Sequence, residues 1–307
     1  MGLTHIRTPK NFVLEDRLER YAAAIEQRPE TYRGRWGEAC SPCGDADRGG
    51  ATCGDADRGG ATCRDMPCSS APRGYTPGFG RVHLDLGCGK GAYLVARAQR
   101  EPSALFIGMD TEPICIAYAA QNIVETGLYN AIVLPRSADS IERLFGPGEL
   151  AGITLNFPTP FPKRKFARKR LTSVDHLLSY RRVLAPGAAV TLRTDSQPLH
   201  DFTLTQLDAA GYRVLWASID TRAEHPEHPE TEYERRLAEQ GAAVYGICAT
   251  PGPEPTPEQI QAGRDAEQSL VAYLPRNLDS IGYIPLGMEG AVLNLRNRQR
   301  NEQAHNH

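Results

Sequence analysis

The sequence lacks an excess of charge of either sign: 35 Lys and Arg stand against 37 Asp and Glu, a formal charge of −2. Chains that only hold nucleic acid are basic overall, so any contact with a polyanion here has to come from a local patch. No run of eighteen apolar residues occurs, and the first residues lack the apolar stretch of a secretory signal. A membrane partner is therefore not expected, and the expected location is the cytoplasm. Eight cysteines would suggest a disulfide framework in a small secreted domain, and a chain of 307 residues is neither small nor marked for secretion. Cys88, Cys115 and Cys248 are scattered and read as buried thiols.

The other five cysteines fall between Cys40 and Cys68, in a segment (40–80) rich in Gly, Asp and Pro and without a hydrophobic period. Within it, residues 44–63 are a decapeptide repeated twice without change. Two copies are too few to stack into a solenoid, so the repeat reads as a duplication in a tolerant surface loop. Cys40 and Cys43 have the spacing of a zinc half-site. The pair Cys63 and Cys68 is spaced C-x4-C instead, and Cys53 is left over. The Asp-x-Asp-x-Gly-Gly pattern lacks the closing Glu of a calcium loop. His225 and His228 are flanked by Pro226 and Pro229, which prevent a helix from presenting both rings on one face. No metal is expected.

Composition divides the chain into a lead-in (1–39), the Cys-rich insert (40–80), a core (81–249), and a linker and tail of unknown role (250–307) that opens on the linker-like Pro251-Gly-Pro-Glu-Pro-Thr-Pro257. In the core, apolar runs at Val82–Leu86, Leu105–Met109, Ala131–Leu134, Ile153–Phe157, Ala188–Arg193, Val214–Ile219 and Val244–Cys248 read as strands. Helical patterns near 91–99, 112–125, 139–145, 172–183, 198–210 and 231–239 alternate with them. This order predicts an α/β fold: one doubly wound, seven-stranded, mostly parallel sheet in a single domain, with an insert and a C-terminal tail.

The first strand breaks into Gly87-Cys88-Gly89-Lys90-Gly91 and leads at once into a helix. Glycines are needed where the chain turns sharply and a ligand approaches the backbone. A dinucleotide site wants G-x-G-x-x-G, but here the third glycine comes one residue early. The G-x-G-x-G form, with Asp85 two residues before it, fits S-adenosylmethionine better, and Asp85 is then placed for the amino group of the methionine moiety. Asp110 closes the second strand, where a carboxylate accepts bonds from both ribose hydroxyls.

The fourth strand ends in Asn156-Phe157-Pro158-Thr159-Pro160-Phe161-Pro162 and runs into Lys163-Arg-Lys-Phe-Ala-Arg-Lys-Arg170. Six positive charges in eight residues form the one dense basic run of the chain. Its position just beyond a strand end favours phosphate contact over a solvated face.

With these residues in view, the chain resembles the bacterial tRNA (guanine-N7) methyltransferase family of class I, Rossmann-like, S-adenosylmethionine-dependent enzymes. The hallmark of that family is an N-F-x-D-P-W-P-K-K-R-H-like run after strand four. The segments Thr31-Tyr32-Arg33-Gly34-Arg35-Trp36, Leu84–Gly91, Arg193-Thr194-Asp195 and Thr231-Glu232-Tyr233-Glu234 are similar to further motifs of the family, and the likeness spans about residues 6–38 and 78–249. It implies a cofactor site of Asp85, Gly87, Gly89, Gly91, Asp110, Ser137, Asn156 and Thr159. It implies tRNA contacts by Lys163, Arg164, Lys165, Arg168 and Lys169, and a target guanine held by Lys163, Asp195, Thr231, Glu232, Tyr233 and Glu234. Thr159, Asp195 and Glu234 are the expected catalytic residues. Thr159, Phe161, Phe166 and Ser137 stand where the family carries Asp, Trp, His and a carboxylate.

Guanine N7 has a free lone pair, so methylation there needs no general base. What it needs is alignment and stabilisation of the positive charge that develops on the purine, which carboxylates that accept guanine N1–H and N2–H provide. Two other readings stay open: a degenerate RNA-binding relative without turnover, and a methyltransferase for another substrate. The sequence leaves the oligomeric state open.

Overall fold

The computed structural model describes residues 8, 10–39, 78–278 and 281–305. The tandem repeat and the five cysteines between Cys40 and Cys68 lie outside the described residues. The elements run α1 (Leu14–Arg20), β1 (Arg81–Leu86), α2 (Ala92–Arg100), β2 (Ala104–Asp110), α3 (Pro113–Glu125), β3 (Ala131–Pro135), α4 (Ile141–Leu144), β4 (Leu150–Asn156), α5 (Val174–Val183), β5 (Leu184–Thr194), α6 (Gln197–Ala209), β6 (Tyr212–Ser218), α7 (Thr221–Glu224), α8 (Glu232–Glu239), β7 (Tyr245–Pro251), α9 (Pro257–Asp265) and α10 (Glu289–His305). Each of the seven expected strands is present. The helix expected over 139–145 is one short turn, α4, because Gly146-Pro147-Gly148 stops it.

The strands form one sheet in the order β3-β2-β1-β4-β5-β7-β6. β1 pairs in parallel with β2 and β4, and β2 with β3, whereas β7 is antiparallel to both β5 and β6. The sheet is thus a doubly wound one with an antiparallel edge. Strand order reverses between β1 and β4, and at such a switch point ligands bind beyond the carboxyl ends of the strands. β2 is buried from Ala104 to Met109, as a parallel strand covered on both faces must be, and this explains its unbroken apolar run. β6 at the edge is mostly exposed and carries a bulge between Val214 and Trp216.

By their packing the described residues divide into two compact units. One runs up to Thr154 and takes in Arg182–Ala188. Its core joins Leu94, Phe106, Ile116, Ala119, Ile123 and Val133 to Tyr21 and Ala24 of the lead-in. Trp36 is fully buried there, with its indole N–H donated to Leu144 O at 2.8 Å. Glu149 receives the Gly34 and Trp36 N–H groups at 2.8 and 2.7 Å, which ties the Thr31–Trp36 segment down.

The other unit comprises Leu155–Arg181 and the chain from Ala189 onward. Here the proline-rich start of the tail is held close rather than hanging as a linker. Arg181 donates to Gly252 O and Pro253 O at 3.0 and 3.2 Å, and Gly252 N–H to Gly211 O at 2.9 Å. Thr256 opens α9 with a capping box closed by Gln259. Gly263 of α9 lies so close to α6 that a Cβ there would come within 2.5 Å of the Ala209 methyl, so only glycine fits.

Candidate functional site

The glycine loop of the first unit is built from its conformational demands. Gly87, Gly89 and Gly91 all have positive φ, at 77°, 54° and 76°, which L side chains adopt only at a cost. Backbone bonds fix the turn: Gly87 N–H donates to Met109 O at 2.7 Å and Gly91 N–H to Cys88 O at 2.9 Å. The third glycine is where packing is tightest, since a Cβ on Gly91 would lie 2.9 Å from the Ala119 methyl of α3. Gly89 is the opposite case, for a Cβ there would meet nothing within 4 Å. The loop therefore offers bare backbone and open space at its middle.

Asp110 stands beside that space. Its Oδ2 accepts the Gly89 N–H at 3.0 Å and its Oδ1 the Glu112 N–H at 2.9 Å. A carboxylate has about four acceptor positions, so capacity for two ribose hydroxyls remains. Asp85 is buried in β1, in register with Gly108 and Thr154. Burial first, then the charges of Asp85 and Asp110, raise the Cys88 thiol well above its ordinary range. Cys115 is pushed up to about 12, again by burial first. Neither thiol is a nucleophile here.

Ser137 follows β3, where its hydroxyl donates to Asp139 Oδ2 at 3.1 Å and accepts the Asp139 N–H at 3.3 Å. The exposed Asp139, two residues on, brings a carboxylate to the Ser137 hydroxyl. Open space at Gly89, the acceptors of Asp110 and the Ser137–Asp139 pair suit a ligand with a ribose and an amino-bearing ring, as S-adenosylmethionine is.

In the second unit, the chain leaves β4 through Asn156 into a turn of unusual strain. Phe157 and Phe161 have φ of 49° and 46°, a region that bulky residues rarely enter and that marks functional segments. Phe157 is held by its N–H, donated to Arg193 O at 2.7 Å, and by its ring, 4.9 Å from Tyr233 and edge-on to it. Arg170 holds Phe161: its guanidinium donates to Pro160 O (3.0 Å), Phe161 O (2.7 Å) and Gln268 O (2.8 Å). The basic run thereby splits. Arg170 is 1% exposed and points inward over the Phe202 ring, its pKa lowered to about 10 by burial. Lys163, Arg164, Lys165, Arg168 and Lys169 are exposed, and Arg164–Lys169 form a 3₁₀ helix on which Lys165 and Lys169 flank the Phe166 ring. Thr159 is exposed at the turn.

Asp195 follows β5 and is 9% exposed. Its Oδ2 accepts the Tyr283 hydroxyl at 2.6 Å and the Tyr233 hydroxyl at 3.4 Å. Burial raises its pKa, and the donors, Tyr283 foremost, oppose that rise. Glu234 is placed differently. It is fully buried, its Oε1 pairs with Arg193, and its Oε2 accepts the Thr231 N–H at 2.9 Å and the Thr231 hydroxyl at 3.2 Å. Thr231 in turn caps α8 by accepting the Glu234 N–H. The Thr-x-x-Glu pattern is therefore a capping box, a signature readable in the sequence. Glu232 is exposed and pairs with Arg236 one turn on. The structure thus brings Asp195 and Tyr233 together, adds Tyr283, and turns Glu234 inward. Tyr283 has no local sequence signal that distinguishes it, and Arg193 stood out only as a neighbour of Asp195 in the Arg193-Thr194-Asp195 segment.

A family model described as "Putative methyltransferase" matches residues 80–247. A tRNA (guanine-N(7)-)-methyltransferase of Limosilactobacillus reuteri (strain DSM 20016) is 31% identical over 170 residues, 55% of this chain and 80% of the relative. One from Geobacillus kaustophilus (strain HTA426) is 27% identical over 232 residues, 75% of this chain and 90% of the relative. Among solved structures, the 16S rRNA methyltransferase KamB is similar at 20% identity and a TM-score of 0.46, covering 57% of this chain and 89% of that one. Among the described residues no helix is long and apolar enough to cross a membrane.

Proposed function

The chain belongs to the tRNA (guanine-N7)-methyltransferase family, and from that premise we infer that it transfers the methyl group of S-adenosylmethionine to N7 of a guanine in tRNA. The observation that carries the tRNA side is the pairing, within one compact unit, of a shielded carboxylate, Asp195, with an exposed helix of cations. S-adenosylmethionine, when bound, supplies an electrophilic sulfonium methyl. The protein has no proton to remove from N7 and needs no general base. Its tasks are to hold two substrates in line and to stabilise charge on the purine.

We assign the Gly87–Gly91 backbone, Asp85 and Asp110 to the methionine and ribose parts of the cofactor, and Ser137 with Asp139 to its adenine. Asn156 and Thr159 belong to the strand end that faces the methyl group. Lys163, Arg164, Lys165, Arg168 and Lys169 take phosphates, and Asp195 with Tyr233 takes the guanine edge. Glu234 acts as a positioning residue through Arg193 and Thr231, since its oxygens are taken up by those partners. Thr159 carries no charge to set against the purinium, so turnover should be slow compared with a site that has a second carboxylate. Residues 81–249 form the catalytic domain in this reading, with 40–80 as an insert, and a tRNA substrate suits a cytoplasmic protein.

Methyl-labelled S-adenosylmethionine and unmodified tRNA test the reading directly. Label should enter tRNA and map to a guanine that reduction and aniline then cleave, the chemistry specific to N7. Binding of tRNA without label would favour the degenerate relative, and label on another acceptor the different substrate.

A further inference from the structure

Residues beyond 247 lie outside the family match, yet they return to the substrate residues of their own unit. Leu270 N–H donates to Pro162 O at 3.0 Å, and Gln268 O accepts from Arg170 at 2.8 Å. Leu270 and Met288 are fully buried against Leu199 and Phe202 of α6. A Cβ on Gly287 would stand 3.6 Å from the Pro160 ring. The chain between these anchors carries Tyr283, which packs, as Phe157 and Tyr233 do, against the buried Leu237, Ala242 and Val244, and donates its hydroxyl to Asp195 at 2.6 Å.

We propose that Tyr283 is a positioning residue for the base-binding carboxylate: the C-terminal segment supplies the donor that fixes Asp195 for the guanine edge. The inference rests on the reading of Asp195 as a guanine ligand. A contact of 2.6 Å lies in the range of a charge-assisted O–H···O⁻ bond, whereas the Tyr233 contact at 3.4 Å on the same oxygen is long. The remaining acceptor positions of the carboxylate are thereby oriented for incoming N–H groups, and its rotamer is set before the substrate arrives. Burial disfavours the charged form of Asp195, and the Tyr283 bond counteracts it most among the donors. The titratable groups facing the pair are Tyr233 on α8 and, through its charge on Tyr233, Glu289 of α10. Burial and the Asp195 charge hold both phenols protonated, so they donate throughout the working range. Tyr283 is partly exposed, and its ring packing does not depend on the hydroxyl.

The test uses the full chain with unmodified tRNA and compares wild type, Tyr283→Phe, Asp195→Asn and the double variant across pH, with melting curves as the check on folding. Tyr283→Phe should lower kcat/KM for tRNA on the order of tenfold and leave KM for S-adenosylmethionine unchanged. The acid limb of its profile should move to higher pH, because Asp195 loses the donor that favours its charged form. In the Asp195→Asn background the same substitution should add nothing. A loss in Asp195→Asn with wild-type kinetics and profile in Tyr283→Phe overturns this inference and spares the underlying reading. An equal penalty in both backgrounds overturns it too, since the tyrosine would then act independently of Asp195. Wild-type rates in Asp195→Asn overturn the reading itself and the inference with it.

Discussion

The Gly87–Gly91 loop and the Asn156–Arg170 segment both turn through left-handed backbone, and they reach it by opposite means. In the first, three glycines take positive φ at little cost, and the local sequence is its own explanation. In the second, Phe157 and Phe161 take the same region at about 1–2 kcal/mol each. The offset comes from other residues: Arg193 O, 36 positions on, for Phe157, and the guanidinium of Arg170 at the end of the same segment for Phe161. A ligand loop made of glycine is adaptable. A loop of prolines and strained phenylalanines is set in advance, as a site that must align two reactants requires.

The comparison is broken most severely at Arg170. Arg170→Met removes the donors to Pro160 O, Phe161 O and Gln268 O and should destabilise the protein by about 3–5 kcal/mol, read as a lowered denaturant midpoint. Arg170→Lys should rescue little, because one ammonium cannot replace the fork. A midpoint change worth less than about 1 kcal/mol would mean that the phenylalanine turns hold themselves.

The glycine loop is sharpened by a pair of substitutions. Gly91→Ala meets the Ala119 methyl as well as an unfavourable φ and should cost about 2–4 kcal/mol of stability. Gly89→Ala meets only the φ penalty, about 1–2 kcal/mol, and its methyl fills the space at the middle of the loop. Cofactor binding by calorimetry should therefore suffer more from Gly89→Ala, and thermal stability more from Gly91→Ala. Equal losses of cofactor affinity would place the cofactor elsewhere.

Much of this was legible in the sequence. All seven strands were: β2, buried from Ala104 to Met109, reads as a continuous apolar run, and the exposed edge strand β6 still carries Val214, Leu215 and Trp216. The glycine loop was legible because its geometry is encoded by the residues that adopt it. The Asn156–Arg170 segment was legible as a family-like run and as charge, but six cations in eight residues do not reveal that Arg170 turns inward while its neighbours stay exposed. Glu234 was expected at the guanine, but its Thr-x-x-Glu spacing is equally the signature of a helix cap, and the cap is what the structure makes of it. Tyr283 lies 88 residues from Asp195, and no periodicity or motif ties them. The proline-rich opening of the tail suggested a linker, whereas Arg181 binds its Gly252 and Pro253 carbonyls and holds it to its own unit.

The smallest expected effect on stability, and a clear one on binding, belongs to the exposed cations. Alanine at Arg164, Lys165, Arg168 and Lys169 should leave unfolding nearly unchanged. It should flatten the salt dependence of tRNA binding by about 0.7–0.9 log units for each phosphate that is no longer neutralised. An unaltered slope would make these side chains a solvated face.

The central claim is that the two regions serve two different substrates of one reaction. Single-turnover methylation of tRNA, with each substrate varied in turn, tests it in Asp110→Ala and Asp195→Ala. Asp110→Ala should weaken the dependence on S-adenosylmethionine by about 1.5–3 kcal/mol and leave that on tRNA alone, while Asp195→Ala should do the reverse and also slow transfer at saturation. Equal effects of either substitution on both substrates, or no methyl transfer by the wild-type chain, would contradict the account.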